Sequence, residues 1–379
     1  MRPTSTVTDS ILARERTAET MLQEVLYAKE IAKQAKELGI EMLVMVDGWF
    51  GKRDDDNSGL GDWFTNENKI GCSLKELVEA VNNCGIKFGI WVEPEMVNED
   101  SDLYRKHPDW AFAVPGKKPV RSRNQLVLDF SRKEVVDYIY DSITKVIESG
   151  NIEYIKWDMN RSITECYSAA LPADRQGEVF HRYILGVYDL YERLNTAFPQ
   201  ILFESCASGG GRFDPGILYY APQGWTSDDT DAAERVKIQY GTSMCYPVSS
   251  MGSHVSVVPN HQLNRKTPLH TRANVAYFGT FGYELDLNKL SYEEISEVKQ
   301  QIAFMKEYRE LIQFGTFYRL KSPFEGNETA WMTVSEDKKT ALVFWYRERN
   351  VVNADFTRVR LQGLDPDFIY RNEYNGTEN

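Results

Sequence analysis

Residues 154–161 read YIKWDMNR, a short apolar run that passes directly into charged and polar residues. Short apolar runs of this kind are typical of strands buried on both faces, as in a parallel sheet. The strand predicted here covers Tyr154–Trp157. Three further stretches have the same form, namely EMLVMV (Glu41–Val46), KFGIWV (Lys87–Val92) and ILFE (Ile201–Glu204). The four stretches therefore predict parallel strands whose carboxyl ends carry polar side chains.

Amphipathic stretches separate the predicted strands. Their apolar residues recur at three- and four-residue spacing, which predicts helices over Met21–Leu38, Ser73–Asn83, Arg132–Ser149 and Asp174–Ala197. The first of them has a possible capping box at Thr20 and Gln23, and it is expected to stop at Gly39. Alternation of strands and helices predicts a parallel sheet with crossover helices.

Two architectures fit this alternation, a doubly wound open sheet and a (β/α)8 barrel. A phosphate-binding glycine loop after the first strand would favour the open sheet, and the sequence has none at that point. Polar residues instead follow four different strands, as in a barrel that collects its active site from the carboxyl ends of many strands. They are Asp47, the pair Glu93 and Glu95, Asp158 and Cys206. We therefore predict an α/β fold with a (β/α)8 TIM-type barrel.

The C-terminal part has a different pattern. Ser291–Phe314 predicts a long helix, and two alternating strands follow from Thr329 around a turn at Glu336–Lys339. We predict three parts: residues 1–32, an atypical N-terminal segment with the start of the first helix; residues 33–314, a catalytic barrel; and residues 315–379, a small C-terminal antiparallel β domain that is expected to be truncated.

Charge and cysteine content exclude several classes of partner. The net charge of −12 disfavours nucleic acid and anionic membranes. The five cysteines are odd in number and lack CxxC spacing, which indicates neither a zinc site nor a disulfide framework. The polar start, Met1–Arg16, has no signal-peptide core, and no apolar run reaches membrane-spanning length. We predict a cytoplasmic protein with no nucleic-acid or membrane partner.

The segment YIKWDMNR contains the first candidate for chemistry. Lys156 and Asp158 are two positions apart, so on a strand their side chains face the same way. A carboxylate beside an ammonium group stays ionised, as a carboxylate nucleophile requires. A structural ion pair at the end of a strand accounts for this segment equally well.

A second acidic segment, GWTSDDTDAAER, covers Gly224–Arg235. Its carboxylates Asp228, Asp229 and Asp231 lie so close that protonation of at least one is favoured, as a proton donor needs. Asp231 is expected to cap a helix over Ala232–Tyr240. Capping does not account for all three.

The two segments, in this order, resemble family 36 of the glycoside hydrolases, the bacterial α-galactosidases. The similarity extends over roughly residues 33–370. It includes DGWFG at Asp47–Gly51, GDW at Gly61–Trp63, WVEPEM at Trp91–Met96, HPDW at His107–Trp110, RNQ at Arg123–Gln125, ESCASGG at Glu204–Gly210 and MGSH at Met251–His254.

The resemblance implies a retaining α-galactosidase that hydrolyses terminal α-D-galactosyl residues from small galactosides, such as melibiose or raffinose, by double displacement. It implies Asp158 as the nucleophile that forms a covalent galactosyl-aspartate, and Asp228 as the acid/base. The substrate-binding residues that it implies are Asp47, Trp91, Arg123, Lys156, Cys206 and Gly209. It implies no metal and no organic cofactor, a small-molecule α-galactoside as partner, and a possible homo-oligomer.

Two features depart from the family's pattern. The family usually has two adjacent aspartates before Gly-Trp-Phe, whereas this chain has Val46-Asp47. The missing carboxylate would accept hydrogen bonds from sugar hydroxyls, so binding is expected to weaken by about 1–3 kcal/mol for each group left unpaired. Thr4–Tyr27 does not resemble the family's first-strand segment, and no large β domain precedes the barrel. The chain is therefore expected to be a fragment, with Thr6–Leu12 as the candidate for a substitute strand.

Three functions remain open at this point. The first is an active α-galactosidase. The second is an α-N-acetylgalactosaminidase or a galactosyl-transferring relative, which Val46 motivates. The third is a catalytically impaired fragment or pseudoenzyme, which Val46 and the N-terminus motivate and which intact Asp158 and Asp228 oppose. Glu93 and Glu95 could be mistaken for a catalytic pair, but the resemblance suggests that they shape the pocket wall.

Overall fold

The structure is a computed structural model that describes the backbone of residues 6–9, 21–353 and 356–373, with side chains from residue 29 onward in these ranges. The predicted capping box at Thr20 and Gln23 lies outside the described side chains. The chain divides into two compact units, Thr6–Trp225 and a second one that contains the chain from Thr226 onward.

Among the described residues, the first unit has eight strands. They are β1 (Thr6–Asp9), β2 (Met42–Met45), β3 (Lys87–Val92), β4 (Met96–Val97), β5 (Leu126–Val127), β6 (Ile152–Trp157), β7 (Leu202–Ser205) and β8 (Gln223–Trp225). Six of them pair in parallel in the order β1-β2-β3-β6-β7-β8. The short β4 and β5 form a separate antiparallel pair.

Seven α-helices accompany these strands among the described residues. They are α1 (Met21–Leu38), α2 (Glu67–Ile70), α3 (Leu74–Asn82), α4 (Asp102–Lys106), α5 (Lys133–Glu148), α6 (Val179–Ala197) and α7 (Pro215–Tyr220). Two 3-10 helices cover Pro108–Trp110 and Ala173–Glu178.

The second unit continues the alternation and ends in an antiparallel sheet. Its elements are α8 (Ala232–Thr242), β9 (Met251–Ser256), α9 (Leu269–Ala276), β10 (Thr280–Glu284), α10 (Tyr292–Phe314), β11 (Thr316–Lys321), β12 (Glu328–Val334) and β13 (Ala341–Arg347), with 3-10 helices at Val248–Ser250 and Leu287–Lys289. Strands β9 and β10 are parallel, and β11-β12-β13 are antiparallel.

Parallel strands and intervening helices, with six such strands in the first unit and two in the second among the described residues, succeed one another along the chain as in a (β/α)8 barrel. The predicted fold class, with its C-terminal antiparallel sheet, is therefore confirmed. The substitute first strand is confirmed over Thr6–Asp9, which pairs residue by residue with Met42–Met45. The remainder of that prediction, residues 10–12, lies outside the described residues.

Burial explains why the parallel strands are continuous apolar runs. All four residues of β2 are buried, as are the last five of β3. Met42, Val44 and Tyr154 form one buried cluster across β2 and β6, against which Leu202 packs. Strands covered on both faces have no solvent-facing positions for polar residues, so polar side chains are displaced to the strand ends.

One helix prediction was wrong at its start. The pattern predicted a single α-helix over Asp174–Ala197, whereas Ala173–Glu178 is a 3-10 helix and α6 begins at Val179. Pro172 precedes this turn in extended conformation, and no side chain caps it. Gly177 further weakens α-helical preference there, and short 3-10 turns are frequent at helix N-termini.

Candidate active site

Asp158 follows the last residue of β6, and its backbone N–H donates to the carbonyl of Val92 at 2.8 Å. The residue is 7% exposed. Oδ2 accepts hydrogen bonds from Trp91 Nε1 at 3.1 Å and Asn160 Nδ2 at 2.7 Å, and Oδ1 accepts from the backbone N–H of Met159 at 2.9 Å. These hydrogen bonds restrain the orientation of the carboxylate.

Trp91 lies near the end of β3 and is itself held in place. Its carbonyl accepts from Trp49 Nε1 at 2.9 Å, and the rings of Phe50 and Trp63 lie 6.3 and 6.4 Å from its ring. Trp91 is 6% exposed. The aromatic cluster thus holds Trp91 with its indole N–H directed at Asp158. The resemblance implied a role for each of these two residues but not the contact between them.

Lys156 lies on β6, and its Nζ is 3.6 Å from Glu204 Oε1 and 4.6 Å from the centre of the Trp225 ring. Glu204 is completely buried and is the register partner of Lys156 on β7. Gln223 donates to its other carboxylate oxygen. The sequence pattern predicted Asp158 as the acidic neighbour of Lys156 and did not indicate that Glu204 pairs with it. Its position at the end of the apolar run ILFE was the available signal.

Cys206 and Gly209 lie in the loop after β7. The backbone N–H of Cys206 donates to the carbonyl of Trp157 at 2.8 Å. Burial, and then the charge of Asp158, raise the pKa of the Cys206 thiol, so it stays protonated and bonds to that carboxylate as a donor. Gly209 has φ of 83°, a left-handed conformation that glycine adopts without a Cβ clash.

Arg123 lies in a tight turn before β5. Arg123 and Asn124 have φ of 50° and 60°, a strained region for residues with a Cβ. Arg161 Nη1 stabilises the turn by donating to the carbonyls of Val120 and Gln125 at 2.7 and 2.8 Å. Arg123 Nη1 donates to Asn160 Oδ1 at 2.8 Å. The turn therefore connects Arg123 to Asp158 through Asn160.

Asp47 follows β2 and is paired with Arg53. The guanidinium donates through Nε at 3.0 Å to Oδ1 and through Nη2 at 2.8 Å to Oδ2. The Asp47 side chain is 39% exposed, whereas that of Arg53 is 7% exposed. This bidentate geometry fixes the carboxylate while leaving part of it accessible.

Glu95 forms a buried ion pair. It is 0% exposed and accepts from Arg212 at 2.8 and 2.7 Å, from Trp157 Nε1 at 2.7 Å and from the hydroxyl of Tyr183. Both carboxylate oxygens are occupied, which accounts for Glu95 as a structural residue. Sequence reasoning missed Arg212, which lies 117 positions away along the chain.

Glu93 is buried, and Asn160 donates hydrogen bonds both to it and to Asp158. Its Oε1 accepts from Gln125 Nε2 at 2.7 Å and from the backbone N–H of Asn160 at 2.5 Å. Burial, and then the charge of Asp158, raise the pKa of Glu93 well above its ordinary value. Glu93 is therefore a neutral acceptor over the acidic part of the pH range.

In the second unit, Asp228 lies between β8 and α8, and its carbonyl accepts from the side chain of Gln262. Asp231 is the N-cap of α8 and accepts from the N–H groups of Ala233 and Glu234, as predicted. Asp229 Oδ1 accepts from the N–H of Asp231 at 3.0 Å. Asp229 and Asp231 thus organise the turn that carries Asp228.

Three further findings concern the described residues only. None of the helices in this part of the chain is long and apolar enough to cross a membrane. Residues 29–353 and 356–373 contain no group of three or more His, Cys, Asp or Glu side chains placed to hold a metal ion. The five cysteines are free thiols.

Known proteins are similar to this chain in sequence and in fold. Residues 21–315 match the Melibiase family, and residues 328–378 match the glycosyl hydrolase family 36 C-terminal domain. α-Galactosidase AgaA of Geobacillus stearothermophilus is 56% identical over 92% of this chain and 48% of its own length. The bifunctional α-galactosidase/sucrose kinase AgaSK of Mediterraneibacter gnavus is 56% identical over 92% of this chain and 36% of its own length.

Solved structures agree with these matches. The crystal structure of AgaA has a TM-score of 0.94 at 53% identity, covering 99% of this chain and 51% of that one. A variant of AgaA in complex with raffinose has a TM-score of 0.93 at 52% identity, covering 98% and 51%. This chain spans about half the length of AgaA. It belongs to the melibiase family, with the C-terminal domain of glycosyl hydrolase family 36.

Proposed function

We propose that this chain is the catalytic region of a retaining α-galactosidase that acts on small α-galactosides. The observation that carries the proposal is the Asp158 carboxylate, held at the end of β6 by hydrogen bonds from Trp91, Asn160 and Met159. An oriented carboxylate at the carboxyl end of a barrel strand is suited to nucleophilic attack. Relatives that are α-galactosidases by name support the same reaction.

The reaction has two steps in this proposal. In the first, a carboxylate oxygen of Asp158 bonds to the anomeric carbon, while the bond to the leaving-group oxygen breaks and Asp228 transfers its proton to that oxygen. In the second, Asp228 takes a proton from water, whose oxygen bonds to the anomeric carbon and releases Asp158. Two inversions give net retention.

Asp47, Trp91, Arg123, Lys156, Cys206 and Gly209 would bind the galactosyl group in this proposal. Arg53 holds Asp47 with part of its carboxylate accessible, so Asp47 retains capacity to accept from sugar hydroxyls. Lys156, paired with Glu204, supplies a donor on β6, the strand that Asp158 directly follows.

Several wider properties belong to the same proposal. Residues 33–314 would form the catalytic barrel and residues 315–379 the C-terminal β domain. A cytoplasmic location and a homo-oligomeric state are proposed with them. Sedimentation of the purified chain tests the oligomeric state.

Hydrolysis of p-nitrophenyl-α-galactoside tests the function. We expect turnover by the purified chain and a loss of at least about a thousandfold in kcat for Asp158→Asn, since removal of a nucleophile abolishes the covalent route. Asp109→Asn, which changes an exposed carboxylate paired with Arg132, is the matched control and should retain activity. No turnover by a folded chain would favour a catalytically impaired protein.

Val46 motivates a comparison of two substrates. The same assay with p-nitrophenyl-α-N-acetylgalactosaminide, run beside the galactoside, distinguishes the proposed activity from an α-N-acetylgalactosaminidase. We expect the galactoside to have the larger kcat/KM. A larger value for the N-acetylated substrate would reject the proposed specificity.

A further inference from the structure

Glu93 is a buried carboxyl group for which the proposed reaction has no use. It is 1% exposed and lies just after β3, two positions before Glu95, whose oxygens are occupied by Arg212, Tyr183 and Trp157. None of the described hydrogen bonds or ion pairs of Glu93 involves a cation, and Arg53 interacts with it only through its charge. Its contacts instead lead to the two loops that carry Asp158 and Arg123.

One oxygen of Glu93 joins these loops. Oε1 accepts from the backbone N–H of Asn160 at 2.5 Å and from Gln125 Nε2 at 2.7 Å. Asn160 then donates to Asp158 Oδ2 at 2.7 Å and accepts from Arg123 at 2.8 Å. Gln125 closes the turn that contains Arg123, because its carbonyl accepts from Arg161. A movement of Glu93 would therefore displace the nucleophile and the turn together.

We propose that Glu93 is a positioning residue that sets the orientation of Asp158, acting through the hydrogen bond that its Oε1 accepts from the backbone N–H of Asn160. The proposal rests on the proposed function for its kinetic consequence. Its structural part, that Glu93 holds the backbone amide of Asn160 in place, does not depend on whether the chain is active.

Glu93 accepts these hydrogen bonds in its neutral form, because burial and the charge of Asp158 both raise its pKa. A glutamine at this position keeps an amide oxygen as acceptor, has nearly the same shape and is also neutral. Methionine fills similar space but offers only a weak acceptor. Glu93→Gln and Glu93→Met are therefore matched variants that differ mainly in the acceptor.

Steady-state kinetics with p-nitrophenyl-α-galactoside tests the kinetic part. We expect Glu93→Met to lower kcat about a hundredfold, since misplacement of a reacting group by about 1 Å costs this much, while KM changes by less than about threefold. Glu93→Gln should retain kcat within about fivefold, because it keeps the acceptor. Equal kcat values for both variants, whether high or low, would overturn the proposal.

Backbone hydrogen exchange tests the structural part without any turnover. Peptides that contain Asn160 should exchange faster in Glu93→Met than in the parent chain, and Glu93→Gln should resemble the parent. Peptides from β12 serve as the internal control for global unfolding. Faster exchange in an inactive chain would reject the proposed function but keep the positioning role, whereas unchanged exchange in Glu93→Met would reject the positioning role.

Discussion

At the scale of single residues, the Asp158 carboxylate depends on donors from strand β3 and from the loop that follows β6. Trp91 comes from β3, whereas Asn160 and Met159 come from the loop that follows β6. Hydrogen bonds to a charged group are worth about 1.5–3 kcal/mol each, more than those between neutral groups. Individual donors should therefore have measurable effects on the reaction.

Removal of the Trp91 donor is the first prediction. Trp91→Phe keeps an aromatic ring but loses the N–H that bonds to Asp158 Oδ2. We expect kcat/KM to fall by roughly ten- to a hundredfold, which corresponds to one hydrogen bond to a charged group. Kinetics with p-nitrophenyl-α-galactoside measure this effect.

Trp63→Phe is the matched control for that variant. Trp63 is buried in the same aromatic cluster, and within the described part of the chain its Nε1 has no hydrogen-bond partner. Replacing Trp63 by phenylalanine removes a similar ring area but no hydrogen bond. An equal loss for both variants would show that ring packing, and not the Asp158 contact, is responsible.

The second prediction concerns Val46, which is half-buried directly after β2 and next to Asp47. Val46→Asp supplies the acceptor that the family resemblance implies, so we expect kcat/KM for the galactoside to rise by about tenfold or more. Val46→Leu, which adds bulk without an acceptor, should not raise it. A decrease for Val46→Asp would contradict the role assigned to this position.

Sequence reasoning identified the candidate residues but not their partners. Asp158 stood out because it follows an apolar run, and Asp231 because it precedes a helix. Both patterns are local in the sequence. The link from Glu93 to Asn160 spans 67 positions, and that from Glu95 to Arg212 spans 117. Such contacts arise only when separate strands come together, so a single sequence carries no local signal for them.

At the scale of elements, Glu95 connects four parts of the first unit. It follows β3, and its partners are Trp157 on β6, Tyr183 on α6 and Arg212 in the loop between β7 and α7. The Glu95 side chain is completely buried, and that of Arg212 is 10% exposed. Removal of one charge would leave the other buried without its partner.

The third prediction follows from this pair. Arg212→Met should lower the free energy of unfolding by about 3–5 kcal/mol, as expected for one half of a buried ion pair. Urea denaturation followed by tryptophan fluorescence measures the change. Arg175→Met breaks a surface pair with Glu178 and should leave the unfolding midpoint nearly unchanged, because exposed pairs are screened by solvent. Similar losses for the two variants would contradict a structural role for Glu95.

Elements with strong periodicity or a continuous apolar run were predictable from the sequence, whereas strands of two residues were not. The bounds of α1 and β3 agree with prediction, and Gly39 follows α1 with φ of 89°, as a C-terminal glycine should. The two-residue strands β4 and β5 are too short to show alternation. The 3-10 turn before α6 was read as α-helix, because i+3 and i+4 spacings overlap over a single turn.

At the scale of the whole molecule, Glu93 makes stability depend on pH. Its raised pKa means that the folded chain keeps a proton which the unfolded chain has lost above the ordinary value of 4.5. The folded state then binds more protons, so the contribution of Glu93 to stability falls as the pH rises above that value.

The fourth prediction isolates this contribution. Glu93→Gln cannot ionise, so its unfolding midpoint in urea should fall less between about pH 5 and about pH 7 than that of the parent chain. Other titrating groups are common to both proteins and cancel in the comparison. The same pH dependence in both proteins would show that Glu93 does not retain its proton on folding.

The whole chain spans about half of AgaA, yet it contains the complete set of residues to which the proposed reaction assigns roles. The most direct test of the account is to trap the covalent intermediate. The chain would be incubated with 5-fluoro-α-galactosyl fluoride, digested and analysed by mass spectrometry. We expect a fluorogalactosyl group on Asp158, and no label on the Asp158→Asn variant. A label on another carboxylate, or turnover with no label on Asp158 and inverted product configuration, would contradict it.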